Sequence, residues 1–242
     1  MSHDTAASAE QYDHSHPKGI ERSYWHLARN AILWRKLSPY LQEGTTVLDL
    51  GCGPGVVVSY LRSKGVDCHG ADIGTPEPVN EATAGSLFLG QDACELPQSF
   101  RQQVSVILLL DVIEHIVDPA AFLQRCMESF GNARTILVTL PARMEIWSNY
   151  DEFYGHQTRY TSESLDELVG KTGLRKVESG YFFHGLYLAA RCLKFIKPTR
   201  AVRVLAPKSE WPQRVIATAF DLEQRLVPSQ VWGSSLYAVL QR

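Results

Sequence analysis

The residues best suited to chemistry lie at 47 to 55, Val-Leu-Asp-Leu-Gly-Cys-Gly-Pro-Gly. Three glycines at alternate positions, Gly51, Gly53 and Gly55, permit backbone angles closed to other residues and leave no Cβ to hold a ligand off the main chain. Asp49 stands two residues ahead of them. A carboxylate there suits a ligand carrying positive charge and would repel a diphosphate. A dinucleotide fingerprint needs glycine where Val56 stands, and no Lys-Ser/Thr pair follows to complete a phosphate loop. A loop that merely turns is the remaining alternative. Farther on, Asp111-Val112-Ile113-Glu114-His115 joins two acids to an imidazole, the side chain that titrates near neutral pH and can accept a proton there.

Strands and helices must bring these groups together. Val47, Leu48 and Leu50 end a buried strand, and a helix beginning near Val56 and closed by Gly65 turns its free N–H groups toward the glycines. Val66 to Ala71 is a second strand ending at Asp72, where nucleotide-binding folds accept ribose hydroxyls. Two prolines and several small residues predict an irregular loop from 74 to 85 with little helix. Ser86 to Gly90 reads as a third strand, followed by Gln91-Asp92-Ala93. Val104 to Leu110 is nearly unbroken aliphatic sequence, as a central parallel strand requires, and it delivers Asp111 to the carboxyl edge of the sheet. Asp118 and Pro119 open a helix whose apolar face is Leu123, Cys126, Met127 and Phe130. Thr135 to Leu140 is a fifth strand. A long loop rich in aromatics then runs from Ala142 to Tyr160, Thr161 caps a helix that runs to Gly173, Leu174 to Gly180 is a sixth strand, and Ser234 to Leu240 is the last. The strand–helix order predicts an α/β fold: a doubly wound, mostly parallel seven-stranded sheet, Rossmann-like, with an antiparallel last strand.

Ahead of the glycine turn, Tyr24, Leu27, Ala28, Ala31, Ile32 and Leu37 recur at helical spacing, predicting a helix over 20–41 that ends near Pro39. Residues 1–18 are polar and read as a disordered tail, with 19–242 forming one domain. About 182–232 forms a helical insertion before the last strand. Within it, 185–208 carries Arg191, Lys194, Lys197, Arg200, Arg203 and Lys208 and no acid. An aromatic-rich basic amphipathic helix can rest on an anionic membrane, close a pocket or form a homodimer face. The chain has 242 residues and a net charge of −2, which gives no reason to propose nucleic acid as a partner. Its five cysteines, Cys52, Cys68, Cys94, Cys126 and Cys192, form no C-x-x-C pair, so neither a zinc site nor a disulfide framework is indicated. No signal segment or membrane span is apparent, which favours the cytoplasm.

The D-x-G-x-G-x-G run resembles the first motif of class I S-adenosylmethionine-dependent methyltransferases. Glu114-His115-Ile116-Val117-Asp118-Pro119 and Gly155-His156-Gln157-Thr158-Arg159-Tyr160-Thr161 resemble segments of the quinone-biosynthesis O-methyltransferases among them. The resemblance covers roughly 20 to 180 and the final strand. It implies methyl transfer from S-adenosylmethionine to a small-molecule or lipid-linked acceptor, most readily on oxygen. It further implies that Asp49, Gly51, Gly53 and Gly55 hold the methionine end, Asp72 the ribose, and Asp92 with Ala93 the adenine, with Asp111 and Val112 closing over the cofactor. Capping a local turn is the other reading of Asp92.

The 20–41 helix resembles one that lines the acceptor pocket in small-molecule methyltransferases. That implies acceptor contacts for Tyr24, Trp25 and Arg29, to be set against simple packing, and Trp147 and Tyr150 on the long loop join them. Arg159 could meet an anionic acceptor, pair with a neighbouring acid or bridge loop to sheet. In-line displacement at a sulfonium carbon owes much of its rate to positioning. A base is needed only for a protonated acceptor. His115 and His156 are the candidates, His115 with the alternative of holding the loop. The acids are accounted for without metal. A nicotinamide-dependent oxidoreductase and a non-catalytic, cofactor-binding partner subunit are the rival classes.

Overall fold

The computed structural model of the chain describes residues 17–196 and 206–242. Seven strands form one sheet: β1 (Thr46–Leu50), β2 (Asp67–Asp72), β3 (Leu87–Leu89), β4 (Val104–Leu110), β5 (Thr135–Pro141), β6 (Arg175–Phe182) and β7 (Ser235–Gln241). Their order is β3-β2-β1-β4-β5-β7-β6. The first five are parallel, whereas β7 runs antiparallel to both β5 and β6. The fold class expected from the strand–helix alternation is therefore the one observed, with the antiparallel strand lodged inside the sheet.

Helices cover both faces: α1 (Tyr24–Leu37), α2 (Val56–Ser63), α3 (Glu81–Ala84), α4 (Gln98–Arg101), α5 (Pro119–Ser129), α6 (Asn149–Phe153), α7 (Ser162–Val169), α8 (His184–Ile196) and α9 (Glu210–Leu226). On one face Leu123, Cys126, Leu165 and Leu168 of α5 and α7 meet Ile107, Leu109, Ile136 and Val138. On the other, Leu33, Leu37, Val57 and Leu61 of α1 and α2 meet Val47, Val106, Leu108 and Leu137. Each central strand thus contributes apolar side chains to both layers, which is why β4 shows no alternation.

The helix expected over 20–41 is shorter. Ser23 is extended and accepts from the His26 amide at 3.4 Å, so α1 starts at Tyr24, with separate 3₁₀ turns at Ile20–Arg22 and Ser38–Tyr40. Ser38 keeps helical angles, φ −54° and ψ −32°, and the ladder stops at Pro39, which has no N–H to continue it. The irregular 74–85 segment contains the single turn α3, capped by Asn80.

The insertion is built from α8 and α9. Ala28 and Ile32 of α1 pack with Ala217 of α9 and with Phe182, Phe183 and Tyr237, and the Tyr24 ring stacks on Phe220 at 5.8 Å. Arg35 pairs with Asp221, and Lys36 with Glu178, which also accepts from the Tyr237 hydroxyl at 2.8 Å. Arg191 and Lys194 of the basic run lie on α8 beside exposed Leu188, Leu193 and Ile196; Lys197, Arg200 and Arg203 lie outside the described residues, as do positions 1–16 of the polar tail. No described helix is long and apolar enough to cross a membrane.

Gly233 seats the segment entering β7 against β6. A Cβ there would come within 2.2 Å of the Phe182 carbonyl oxygen, and Phe182 is held by its pairing with Ser235. Overpacking of this kind costs about 1–3 kcal/mol. Gly233→Ala should therefore lower the thermal midpoint followed by circular dichroism, while Gly131→Ala, with nothing within 4 Å, should leave it nearly unchanged. Equal midpoints would show that the segment is not seated there.

Candidate functional site

The carboxyl ends of β1, β2 and β4 set three acids side by side. Asp49 is 2% exposed, and its Oδ1 has no hydrogen-bond partner. Burial pushes its carboxyl up to about 7; Arg29 opposes that shift, and the neighbouring Asp72 and Asp111 add to it. Asp72 instead accepts from the Gly53 amide on one oxygen and the Gly74 amide on the other, both at 2.8 Å. It braces the glycine turn from below. Asp111 takes the left-handed φ of 59° and accepts from Arg29 Nη2 at 2.6 Å and from Thr139 Oγ1 at 3.2 Å. Arg29 is itself buried and stacks over the Trp25 ring at 4.9 Å.

The turn follows from its sequence. Gly51, Gly53 and Gly55 have φ of 79°, 52° and 82°, and a Cβ on Gly51 would lie 2.6 Å from Val112 Cγ2. Val112 therefore packs directly on the bare backbone. Gly55 is the N-cap of α2 and offers its first amides no side chain. A buried carboxyl with one oxygen unpartnered among the described residues, beside a helix start with no side-chain cap and a side-chain-free turn, fits a ligand with positive charge on one part and hydrogen-bond acceptors on another.

The remaining expected cofactor and acceptor residues divide. Asp92 accepts from the Cys94 amide at 2.9 Å and pairs with Arg125 at 2.8 Å, so the turn-capping reading describes its contacts; Ala93 is buried in that turn. Tyr24 faces α9, its amide donating to Gln213 Oε1 at 2.9 Å, and so belongs to the contact between α1 and the insertion. Trp147 and Tyr150 are half-buried on the long loop.

That loop is pinned across the sheet edge. Ala142 bridges Tyr160, and the Gln157 amide donates to the Glu114 carbonyl at 2.7 Å. At its centre is Asp151, fully buried. Its Oδ1 accepts from His156 Nδ1 and Arg159 Nε, each at 2.8 Å, and its Oδ2 from the Ser148 amide at 2.9 Å. Burial alone would raise this carboxyl, but those donors hold it below the usual carboxylate range. Arg159 also donates to the Ala142 carbonyl at 3.1 Å, so its contacts are the acid-pairing and loop-bridging ones.

The His156 and His115 rings meet edge to face at 4.9 Å. Burial, and then His156, push His115 down to about 4, while Asp111 and hydrogen bonds to the backbone of Tyr154 and Gly155 pull the other way. Glu114 is buried with no partner on either oxygen, and burial pushes it well above its ordinary value. Side-chain atoms of Glu114, His115 and His156 lie within 4.8 Å of one another, a spacing that would admit one small cation, although the sequence suggests no metal. The groups that sequence reasoning passes over are Asp151 and Thr139; it counts Glu114 among the acids of the 111–115 run without giving it a role. No spacing marks Asp151, whose partners lie on the same long loop.

A sequence profile for a methyltransferase domain matches residues 24–179. The ubiquinone biosynthesis O-methyltransferase of Cereibacter sphaeroides (strain KD131 / KCTC 12085) is 27% identical over 198 residues, covering 69% of this chain and 76% of that protein. The protein of the same name from Proteus mirabilis (strain HI4320) is 26% identical over 137 residues, 50% of this chain; the match spans about half of that relative, 56% of its length. Among solved structures, the plantazolicin methyltransferase BamL, in complex with a triazolic desmethylPZN analog and SAH, shares the fold with a TM-score of 0.55 at 16% identity, over 97% of this chain and 89% of that one. Phosphoethanolamine N-methyltransferase 2 of Haemonchus contortus, in complex with phosphomonomethylethanolamine and S-adenosylhomocysteine, gives 0.57 at 15% identity over 98% and 60%.

Arg29→Ala would leave Asp111 and Asp49 facing each other with no buried cation. Removing one partner of a fully buried pair costs about 3–5 kcal/mol, but the Asp111 side chain is 30% exposed, so the expected loss is about 1–3 kcal/mol; in a chain of this size each kcal/mol lowers the midpoint by roughly 2–4 °C. Thermal melts should show that loss. A shift equivalent to less than about 1 kcal/mol would show that the pair does not hold α1 to the sheet.

Proposed function

The chain belongs to the methyltransferase-domain family, and from that premise we propose that it transfers a methyl group from S-adenosylmethionine to a hydroxyl oxygen of a small-molecule or lipid-linked acceptor. The observation that carries the cofactor half is the buried carboxyl of Asp49, whose Oδ1 has no hydrogen-bond partner among the described residues, at the foot of a bare glycine turn. S-adenosylmethionine supplies, when bound, a methyl group on a positively charged sulfur.

Within this reading Asp49 provides the negative field for the cationic end, and Gly51, Gly53 and Gly55 let the ligand lie on the main chain. Asp72 keeps the turn in shape and offers its remaining acceptor capacity to ribose hydroxyls. Asp92 sets the turn from which the Ala93 amide would meet the adenine, and Val112 closes the near wall. Trp25, Trp147 and Tyr150 would wall the acceptor, whose proton His115 or His156 would take. Oxygen as the methylated atom is supported by the names of the two curated relatives. A cofactor-binding subunit without turnover would share the same cofactor contacts and differ only in methylating nothing.

Calorimetric titration with S-adenosylmethionine tests the cofactor site. Asp49→Asn keeps the shape and removes the charge, and a charge-assisted contact of about 1.5–3 kcal/mol makes the expected loss about 10- to 100-fold. The acid is protonated below about 7, so wild-type affinity should fall as pH drops beneath that point, by up to about tenfold per unit, and Asp49→Asn should show no such slope. A wild type that ignores the ligand, or a variant that matches it at every pH, would remove Asp49 from the site.

A further inference from the structure

We propose that His156, and not His115, takes the acceptor's proton, and that Asp151 is the positioning residue that fixes His156 in the tautomer able to do so. The kinetic part of this inference rests on the methyl-transfer reading; the tautomer does not.

Three residues donate to the Asp151 side chain: His156, Arg159 and Ser148, the last through both its amide and its hydroxyl. Arg159 Nε and the Ser148 amide keep this fully buried carboxyl ionised, and an ionised carboxylate only accepts hydrogen bonds. His156 Nδ1, 2.8 Å from Oδ1, must then carry the hydrogen. In the neutral ring that leaves the lone pair on Nε2, on the far side from Asp151. Among the described residues no hydrogen bond is made to that nitrogen.

The ring also sits in the right place. The neighbouring Gln157 amide ties its loop to the Glu114 carbonyl just past β4, and the His115 ring touches it. This is the carboxyl edge, one turn of chain beyond Asp111. His115 is placed differently: it lies at the end of β4, where burial and the neighbouring His156 push its ring down to about 4 and leave it little basicity.

Asp151 does have a local task, since Ser148 and Asp151 form a capping box at the start of α6. That task uses Oδ2. The contacts to His156 and Arg159 fall on Oδ1, which a helix cap does not require.

In the step itself the acceptor's O–H bond breaks and its proton goes to Nε2. The oxygen's electron pair forms the bond to the methyl carbon, and the carbon–sulfur pair stays on sulfur. The resulting imidazolium is paired with Asp151, which remains ionised throughout. The base then returns its proton to water.

The experiment uses the full chain and two acceptor probes, catechol and 4-nitrocatechol; the second gives up its proton near neutral pH unaided. Nitrogen-15 NMR of labelled histidine, with the His156 signal identified by its loss in His156→Gln, should show the Nδ1–H tautomer in the wild type. Asp151→Asn can still cap α6 while turning its amide N–H₂ toward the ring, and should invert that tautomer. With saturating S-adenosylmethionine, kcat on catechol should fall roughly 10²-fold or more in Asp151→Asn and His156→Gln, with KM for S-adenosylmethionine unchanged. On 4-nitrocatechol the same variants should lose less than about threefold, since no base is needed.

An Nε2–H tautomer in the wild type overturns the assignment. So does an equal loss on both probes, which would mark Asp151 as merely structural. Should Asp151→Asn fail to fold, the wild-type tautomer and His156→Gln, altered at a partly exposed ring, still decide. A wild type that methylates neither probe counts against the transfer reading, while the NMR result judges the positioning of His156 by itself.

Discussion

One guanidinium governs the working edge of this sheet. Arg29 reaches from α1 to Asp111 at the end of β4 and to Thr139 on β5, and it is the charge opposing the field that Asp49, Asp72 and Asp111 build together. Three carboxylates at adjoining strand ends would repel one another strongly in a water-poor environment. The cation makes their proximity tolerable, and its own position depends on where α1 lies. That helix is held from outside by α9, through Tyr24, Ala28 and Ile32, and by the ion pair from Arg35 to Asp221. The insertion thus acts on the site at one remove, as the backing that keeps Arg29 aimed at the strand ends.

The acids of the site also show how little residue type alone decides. Asp49 and Asp151 are both buried aspartates. The first has an oxygen with no donor and is pushed upward; the second gathers donors from three residues and is held down. Glu114 follows Asp49, isolated and raised. Supply of donors, more than depth, separates a carboxyl that awaits a ligand from one committed to orienting a neighbour. The two halves of the site differ in construction for the same reason. The turn side is shaped by backbone and three glycines, whereas the loop side is shaped by an arginine ion pair and a histidine hydrogen bond converging on one buried oxygen.

Much of this was legible in the sequence. The glycine run, the acid before it and the aliphatic strands determine each other closely, because a buried parallel strand leaves few alternatives for its residues. Strand bounds differ by a residue or two, but two helices are shorter than their spacing suggests: apolar spacing continues through Ser38–Tyr40 although the α-helical ladder does not, and the helix capped by Thr161 stops at Val169, short of Gly173. What escaped depended on distant contacts. The partner of Arg29 is 82 positions away, and nothing near either residue announces the other. Asp151 is followed by Glu152, an acid of the same sign that stays exposed, so no local pattern picks out the one that the loop buries. Asp92 carries two readings in the sequence, adenine contact by resemblance and turn capping, and its contacts to the Cys94 amide and Arg125 are of the second kind. The 17 residues of α9 mix apolar and charged positions and leave several apolar ones in solvent, which blurs the stripe that would have marked the helix.

The lodging of β7 between β5 and β6 has a consequence for how the molecule is made. β6 ends at Phe182, and the strand that joins it to the rest of the sheet begins at Ser235. On a ribosome adding about 5–20 residues per second, several seconds separate the appearance of the two. Throughout that interval the exposed flank of β5 is an open template for any extended chain nearby, and β6 has nothing to pair with. Nascent molecules must therefore pass through a state whose greatest hazard is intermolecular, and it ends only when a late-emerging segment threads into the gap.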